Sequence, residues 1–96
     1  MFLILLKYVR PLDQVEQHLE AHREYLRRRY ADGSFLMSGR MEPRTGGVIL
    51  AQASSREAAE AIMREDPFHT AGVAEYSLVE FHPTMTAPAL AQFKVQ

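Results

Sequence analysis

The sequence predicts an α+β domain whose elements follow in the order β-α-β-β-α-β. Short apolar runs alternate with two stretches of helical periodicity, and glycines or prolines separate most of them. Two of the apolar runs, residues 2–9 and 47–53, are apolar on both faces, which is typical of strands covered on both sides. In this split βαβ order the first and third strands are central, and these are the same two runs. A four-stranded antiparallel sheet follows from this order.

Length and composition indicate one small domain. The chain has 96 residues, of which 47% are hydrophobic and 24% charged, and its net charge is −1. This charge argues against nucleic acid or a membrane surface as a partner. The absence of cysteine excludes disulfides and thiolate metal sites, and it favours the cytoplasm. The apolar run 2–6 meets Lys7 too early for a signal peptide or a spanning helix.

The first half of the chain reads as a strand, a helix and a second strand. Pro11 ends the strand 2–9, and Asp13 with Glu16 forms an aspartate version of the capping box. The predicted helix runs to about Asp32, where Gly33 supplies the stop. Residues 34–40 form the second strand, and residues 41–46 form a hairpin loop.

The second half reads as a strand, a helix and a last strand. After strand 47–53, Ser54 and Glu57 form a capping box that opens the second helix, and Pro67 ends this helix at Asp66. Residues 68–73 form a connection and residues 74–81 the last strand. We expect residues 1–82 to form the domain and residues 83–96 to form a tail that packs on a partner or stays mobile.

The predicted topology leaves one sheet face uncovered. Both helices lie on the same face, while the central strands are apolar on both. A second copy of the same sheet is the simplest cover for the other face. The sequence therefore predicts a homodimer, with room for a higher homo-oligomer.

Each predicted helix carries one titratable residue on its buried side. At about 100° per residue, His22 lies roughly 20° from Val15, and Asp66 lies roughly 20° from Ala59. A carboxylate at a helix C-terminus among apolar neighbours needs a partner. His22 is a candidate, and the two together would form a histidine general base oriented by a carboxylate. The alternative is a satisfied core histidine and an Asp-Pro pair that only terminates a helix.

Other polar residues give weaker signals. His18 and His22 have the i, i+4 spacing of a metal pair, and His69 follows Asp66, but no further ligand motif appears, so we expect no metal. Arg40 and Arg44 flank the hairpin loop and are candidates to bind an anion; solvated loop arginines are the alternative.

The topology is also used by RNA-binding domains, which display stacking aromatic residues on their central strands. The third strand of this chain, residues 47–53, contains no aromatic residue. RNA is therefore not an expected partner.

With these residues placed, the sequence resembles the YCII-related (YciI-like) family. The likeness extends from residue 2 to residue 81, and each motif is short, but their order and spacing are specific. The matching pieces are segment 21–26 with His22, the pair Ser38-Gly39, segment 46–51 beginning Gly46-Gly47, and segment 66–73 beginning Asp66-Pro67-Phe68.

The resemblance implies a ferredoxin-like fold in a dimeric α+β barrel, with a site built around His22 and Asp66. Most of the family has no assigned reaction, and one relative is a dehydrochlorinase that acts on a chlorinated hydroxyquinol. A cofactor-free acid–base enzyme of the lyase type, acting on a small aromatic or anionic molecule, is the function we expect. A non-catalytic dimeric module that binds a small ligand or assists other enzymes is the alternative.

Phe68 and the loop near Arg40 are expected to shape the cleft, and Arg40 departs from the family. Many relatives have proline after Ser-Gly where this chain has Arg40, which changes the cleft wall. The expected substrate-binding residues are Ser38, Gly39, Arg40, Arg44 and Phe68.

Overall fold

The computed structural model describes residues 1–95, which form an antiparallel four-stranded sheet with helices packed on one face. The strands are β1 (Phe2–Tyr8), β2 (Phe35–Arg40), β3 (Gly46–Ala51) and β4 (Ala74–Glu80). Their order in the sheet is β2-β3-β1-β4, which puts β1 and β3 in the centre, as predicted from their two apolar faces. The helices are α1 (Leu12–Glu16), α2 (Leu19–Ala31), α3 (Arg56–Arg64) and α4 (Pro67–Thr70).

The core lies between the helices and one face of the sheet. Strand side chains alternate between the two faces, so Phe2, Ile4 and Leu6 of β1 are buried under the helices. Leu3 and Leu5 point to the opposite face and are only half-buried. We call these the helix-covered face and the open face.

The first helical stretch is broken where one continuous helix was predicted. A turn at Gln17 and His18 separates α1 from α2. The predicted capping box is also wrong, since the carboxylate of Asp13 accepts only from the neighbouring Gln14 N–H. The Pro11 carbonyl instead accepts the first helical N–H groups, so the helix starts before Asp13 and leaves its side chain beside the first turn.

The second helical stretch begins one residue later than the predicted capping box of Ser54 and Glu57, and it ends early. Ser55 caps α3, since its Oγ accepts from the Ala58 N–H at 3.1 Å. The helix ends at Arg64, not at Asp66, and Pro67 begins the one-turn helix α4 inside the predicted connection. Proline suits a first helical position because its missing N–H has no partner to lose there.

Two glycines are required by the backbone. Gly33 ends the α2 segment with φ of +85°, as predicted. Gly46 lies so close to β1 that a Cβ atom would stand 1.9 Å from the Leu6 carbonyl oxygen. The central strand pair therefore tolerates no side chain at that position.

The C-terminal segment lies against the open face. It contains a 3₁₀ helix, Pro88–Phe93, and turns back on itself where Val95 N–H donates to the Pro83 carbonyl at 3.0 Å. With Leu36, Met37 and Leu50 of the sheet it encloses an apolar groove of about 380 Å³. No helix within residues 1–95 has the length and apolar character needed to cross a membrane.

Candidate functional site

The structure brings His22 and Asp66 together. His22 Nδ1 lies 2.8 Å from Asp66 Oδ1, and the two side chains come from α2 and from the residue before α4. Asp66 is 0% exposed and His22 is 9% exposed. Because a carboxylate only accepts, the histidine donates from Nδ1. In the neutral ring, Nε2 then carries the lone pair.

Asp66 is held by more than the histidine. It is the N-cap of α4, and its Oδ1 also accepts from the Phe68 N–H at 2.9 Å. The expectation that Asp66 ends a helix, with the macrodipole opposing its charge, is therefore wrong. A carboxylate at an N-cap is favoured, because it satisfies backbone N–H groups that have no helical partner.

The imidazole is packed on one face by an aromatic ring. The rings of His22 and Phe68 are stacked with centroids 4.0 Å apart and planes 5° apart. Phe68 is 1% exposed, so it cannot move away without opening the core. Stacking and the Asp66 bond together fix the orientation of the His22 ring.

The dyad faces a cavity of about 180 Å³. His22 and Phe68 line it from the helix side, and Ser38, Gly39 and Arg40 line it from β2. The Ser38 hydroxyl also forms a hydrogen bond with the Tyr30 hydroxyl. Four of the five expected substrate-binding residues therefore meet at one cleft.

Arg44 does not line this cavity. Its guanidinium forms a salt bridge of 3.2 Å with Glu16 of α1. The expectation that Arg44 binds the substrate has no support in this arrangement, because its charge already has a partner. Because Arg44 lies in the hairpin loop, no periodicity in the sequence predicts the direction of its side chain.

Three residues of the site were not predicted. Tyr25 lies one helical turn after His22 and is 1% exposed; its hydroxyl donates to the Ile62 carbonyl at 2.6 Å. Arg23 lines the cavity beside His22. The Tyr76 hydroxyl of β4 is buried close to the dyad. Periodicity could have shown Tyr25, but nothing local in the sequence marked the other two.

The charge of Asp66 acts on both buried tyrosines. Burial raises the pKa of Tyr25 and of Tyr76, and the negative charge of Asp66 raises each pKa further. Both phenols therefore stay protonated and remain hydrogen-bond donors.

No metal site is formed by the residues that the structure describes. Residues 1–95 contain no group of three or more histidine, aspartate or glutamate side chains placed to hold an ion. His18, which has the i, i+4 spacing of a metal pair with His22, is the N-cap of α2. Nδ1 of His22 is already taken up by Asp66.

Fold and site together define a small α+β protein with a histidine–carboxylate pair at the edge of its core. The family model of the YCII-related domain matches residues 1–82, so the chain belongs to the YCII-related family. None of the curated proteins matches the sequence.

A solved structure supports the ferredoxin-like fold. The chain is similar to 5-chloro-2-hydroxyhydroquinone dehydrochlorinase (TftG) from Burkholderia phenoliruptrix AC1100, in complex with 2,5-dihydroxybenzoquinone. The TM-score is 0.70 at 21% identity, over 85% of this chain and 95% of that one. This similarity confirms the predicted fold class.

Proposed function

We propose that the protein is a cofactor-free acid–base enzyme of the lyase type in which His22 transfers the proton and Asp66 orients it. The observation that carries the proposal is the 2.8 Å contact between His22 Nδ1 and the fully buried Asp66, at the wall of a cavity. A histidine held in one tautomer by a carboxylate is the usual form of a general base. The dehydrochlorinase activity of the similar structure agrees with this reaction class.

The proposed reaction is an elimination. His22 Nε2 takes a proton from the substrate, the electron pair left behind forms a double bond, and a leaving group such as chloride departs as an anion. Asp66 stabilises the imidazolium that forms, since the opposite charge lies at hydrogen-bond distance. The imidazolium then returns its proton to water, which restores the free base.

The cleft suits a small flat substrate. Phe68 stacks on the imidazole and also lines the cavity, whose volume of about 180 Å³ admits a molecule of one ring. Ser38 and Gly39 form the opposite wall, with Arg40 beside them. We therefore propose a small aromatic or anionic molecule as the substrate.

Chloride release tests the proposal. The substrate probe is 5-chloro-2-hydroxyhydroquinone, assayed in the presence of a chelator. Because a positioned general base contributes about 10²–10⁴-fold, His22→Gln should lower the rate by at least about 100-fold. Asp66→Asn should lower it as well, because the imidazolium loses its counter-charge. His82→Gln is the matched control, since His82 is exposed and outside the cleft.

The assay has outcomes against the proposal. Equal chloride release by His22→Gln and the native chain would remove the histidine from the chemistry. No release from any chlorinated hydroxyquinol, together with binding of the compound, would favour a non-catalytic ligand-binding module.

The geometry of the dyad has a test that needs no substrate. Nitrogen NMR of the imidazole should show a proton on Nδ1 and none on Nε2 in the neutral ring, because Nδ1 donates to Asp66. Asp66→Ala should remove this preference, since it removes the acceptor. A native ring protonated on Nε2 would contradict the proposed base.

We also propose that the protein is a homodimer through the open face of the sheet. Val79 is 47% exposed and Met37 is 54% exposed on that face, beside the half-buried Leu3 and Leu5. Sedimentation at about 100 μM should show a dimer, which dilution dissociates. Val79→Lys should shift the protein towards monomer, whereas Glu57→Lys on the exposed side of α3 should not. A native monomer at that concentration would exclude the dimer.

A further inference from the structure

The charged side chains around the cavity all have the same sign. Arg23 and Arg40 line it, and no aspartate or glutamate is among its lining residues, the Asp66 carboxylate being buried behind the His22 ring. The chain as a whole is nearly neutral, with 11 basic and 12 acidic residues. Positive charge is therefore concentrated at this cleft by the fold and does not follow from composition.

We propose that the cavity binds a planar monoanion, with Arg23 and Arg40 as its charge-recognition residues and His22 at its side. The proposal rests on the proposed function, because it names the substrate class of the same site. Planar guanidinium groups match carboxylate and phenolate oxygens through paired N–H donors.

Arg40 is placed for this role by the register of the sheet. It lies opposite Gly47, which lines the same cavity and has no side chain to stand between Arg40 and the ligand. Arg40 has no salt bridge or side-chain hydrogen bond within residues 1–95. Arg44, four residues later, is already neutralised by Glu16. Of these two arginines, Arg40 is the one whose charge is available to a ligand.

Arg23 approaches the cavity from α2. Its ion pair with Glu20 is long, at 3.8 Å, and both side chains are more than half exposed. Exposed pairs of this kind contribute little to stability, so a ligand anion can replace the glutamate at little cost. The two arginines therefore come from opposite walls, one on a helix and one on a strand.

The apolar part of the wall selects a flat ligand body. Leu6, Tyr8, Leu26 and Phe68 line the same cavity. A ligand with an apolar ring fills this wall and presents its anionic group to the arginines. A compact, fully hydrated anion such as inorganic phosphate would leave the apolar wall unfilled.

Benzoate and benzamide separate charge from shape, because the two molecules have nearly the same size. We expect benzoate to shift the amide NMR signals of Gly39 and Gly47 with a Kd in the millimolar range or tighter. Benzamide should bind at least about tenfold more weakly, and Arg40→Gln or Arg23→Gln should weaken benzoate about fivefold or more. Arg28→Gln is the matched control, since Arg28 lies on α2 but outside the cavity.

Each outcome decides the proposal. Equal binding of benzoate and benzamide, or no effect of either arginine variant, would overturn it, as would the absence of benzoate binding at about 10 mM. The proposed chemistry is tested separately by the imidazole NMR. Equal binding of benzoate and benzamide together with a proton on His22 Nδ1 would contradict the anion site but not the proposed role of the dyad. Selective binding of benzoate together with a proton on His22 Nε2 would support the anion site but contradict the proposed role of the dyad.

A second inference comes from two buried polar atoms. Asp66 Oδ2 and the Tyr76 hydroxyl are both inaccessible to solvent, and neither has a hydrogen-bond partner with good geometry within residues 1–95. Buried polar groups without a partner are rare, because each loses its hydrogen bonds to water on folding and gains none in return. The two atoms belong to neighbouring elements, because the His69 ring of α4 packs edge-on against Tyr76 at 5.4 Å.

We infer that Tyr76 is a positioning residue whose hydroxyl donates to Asp66 Oδ2. The carboxylate would then have three donors: His22 Nδ1, the Phe68 N–H and the phenol. Burial, followed by the charge of Asp66, raises the pKa of Tyr76, so the phenol keeps its proton. Three donors fix the carboxylate plane, which in turn fixes the His22 ring.

Tyr76→Phe tests this hydrogen bond with two measurements, the His22 Nδ1 proton signal and the unfolding equilibrium. The His22 Nδ1 proton signal should move downfield, because Asp66 loses one donor and its charge falls more fully on the histidine. The unfolding equilibrium should also shift towards the unfolded state by about fivefold, the usual net contribution of one hydrogen bond of about 1 kcal/mol.

Tyr25→Phe is the matched control, since the Tyr25 hydroxyl donates to Ile62 and not to Asp66. It should lower stability without moving the Nδ1 proton. An unchanged Nδ1 signal in Tyr76→Phe, or a variant more stable than the native chain, would mean that the phenol has no acceptor.

Discussion

The two faces of the sheet differ in what their apolar residues contact. On the helix-covered face, Phe2, Ile4 and Leu6 of β1 are at most 3% exposed, and helices complete their contacts. On the open face, Val79 and Phe81 are 47% and 40% exposed. The same alternation of side chains thus produces one fully covered layer and one that the C-terminal segment covers only in part.

The two faces of the sheet therefore contribute differently to the stability of a single chain. The helix-covered face stabilises the chain and holds the only buried polar residues among those described, His22 and Asp66. The open face contributes little to a single chain because its side chains remain in water. Substitutions on the two faces should therefore differ in how much they lower stability and in how far that loss depends on protein concentration.

The largest expected effect compares two phenylalanines. Phe68 is 1% exposed and Phe81 is 40% exposed. Phe68→Ala should lower the free energy of unfolding by about 3–5 kcal/mol, because it leaves a cavity beside His22. Phe81→Ala should cost less than about 1 kcal/mol in dilute protein, and more at concentrations where the proposed dimer forms. Urea denaturation at two protein concentrations measures both. Equal losses in dilute protein would contradict the comparison.

An intermediate effect comes from alkaline pH, which acts on the helix-covered face. The pKa of Tyr25 and of Tyr76 is raised, by burial first and by Asp66 second, above the usual tyrosine value of about 10. The stabilisation is complete below about pH 10, because both states are then protonated. Above that pH the unfolded chain ionises first, so stability falls by about 1.4 kcal/mol per pH unit for each tyrosine.

Denaturation between about pH 9 and 11 checks this slope. Tyr76→Phe removes one of the two titrating groups, so its stability should fall with about half the native slope above pH 10. A variant with the full native slope would show that Tyr76 ionises as easily in the folded chain as in the unfolded one.

The smallest expected effect is that of chelation. His22 Nδ1 is bound to Asp66, and no group of three metal-binding side chains occurs within residues 1–95. Dialysis against a chelator should leave the melting temperature of the native chain unchanged. A loss of several degrees that zinc restores would show that a metal stabilises one of the faces.

Much of the fold followed from local patterns. β1 and β3 are apolar on both faces, and only a central position explains this, so the strand order could be predicted. Gly33 marked a helix end, and Ser54 marked a helix start to within one residue, for reasons that lie within a few residues. The break at His18 was missed because apolar periodicity continues through it, from Val15 to Leu19.

The candidate site was only half predictable. Periodicity put His22 and Asp66 on the buried sides of their helical stretches, and the structure brings them to 2.8 Å. The sign of the helix effect on Asp66 was wrong, since a new helix begins there. Whether an Asp-Pro pair ends one helix or starts the next depends on the path that the chain takes after it.

The sequence by itself determined the four strands, the two central ones among them, and the two polar residues on buried faces, because periodicity acts over a few residues. Tertiary structure alone decided that Arg40 faces the cavity while Arg44 pairs with Glu16. It also decided that Tyr76 lies beside Asp66. These contacts join different elements of the chain, and their geometry follows from how helices and strands pack, which no local pattern encodes.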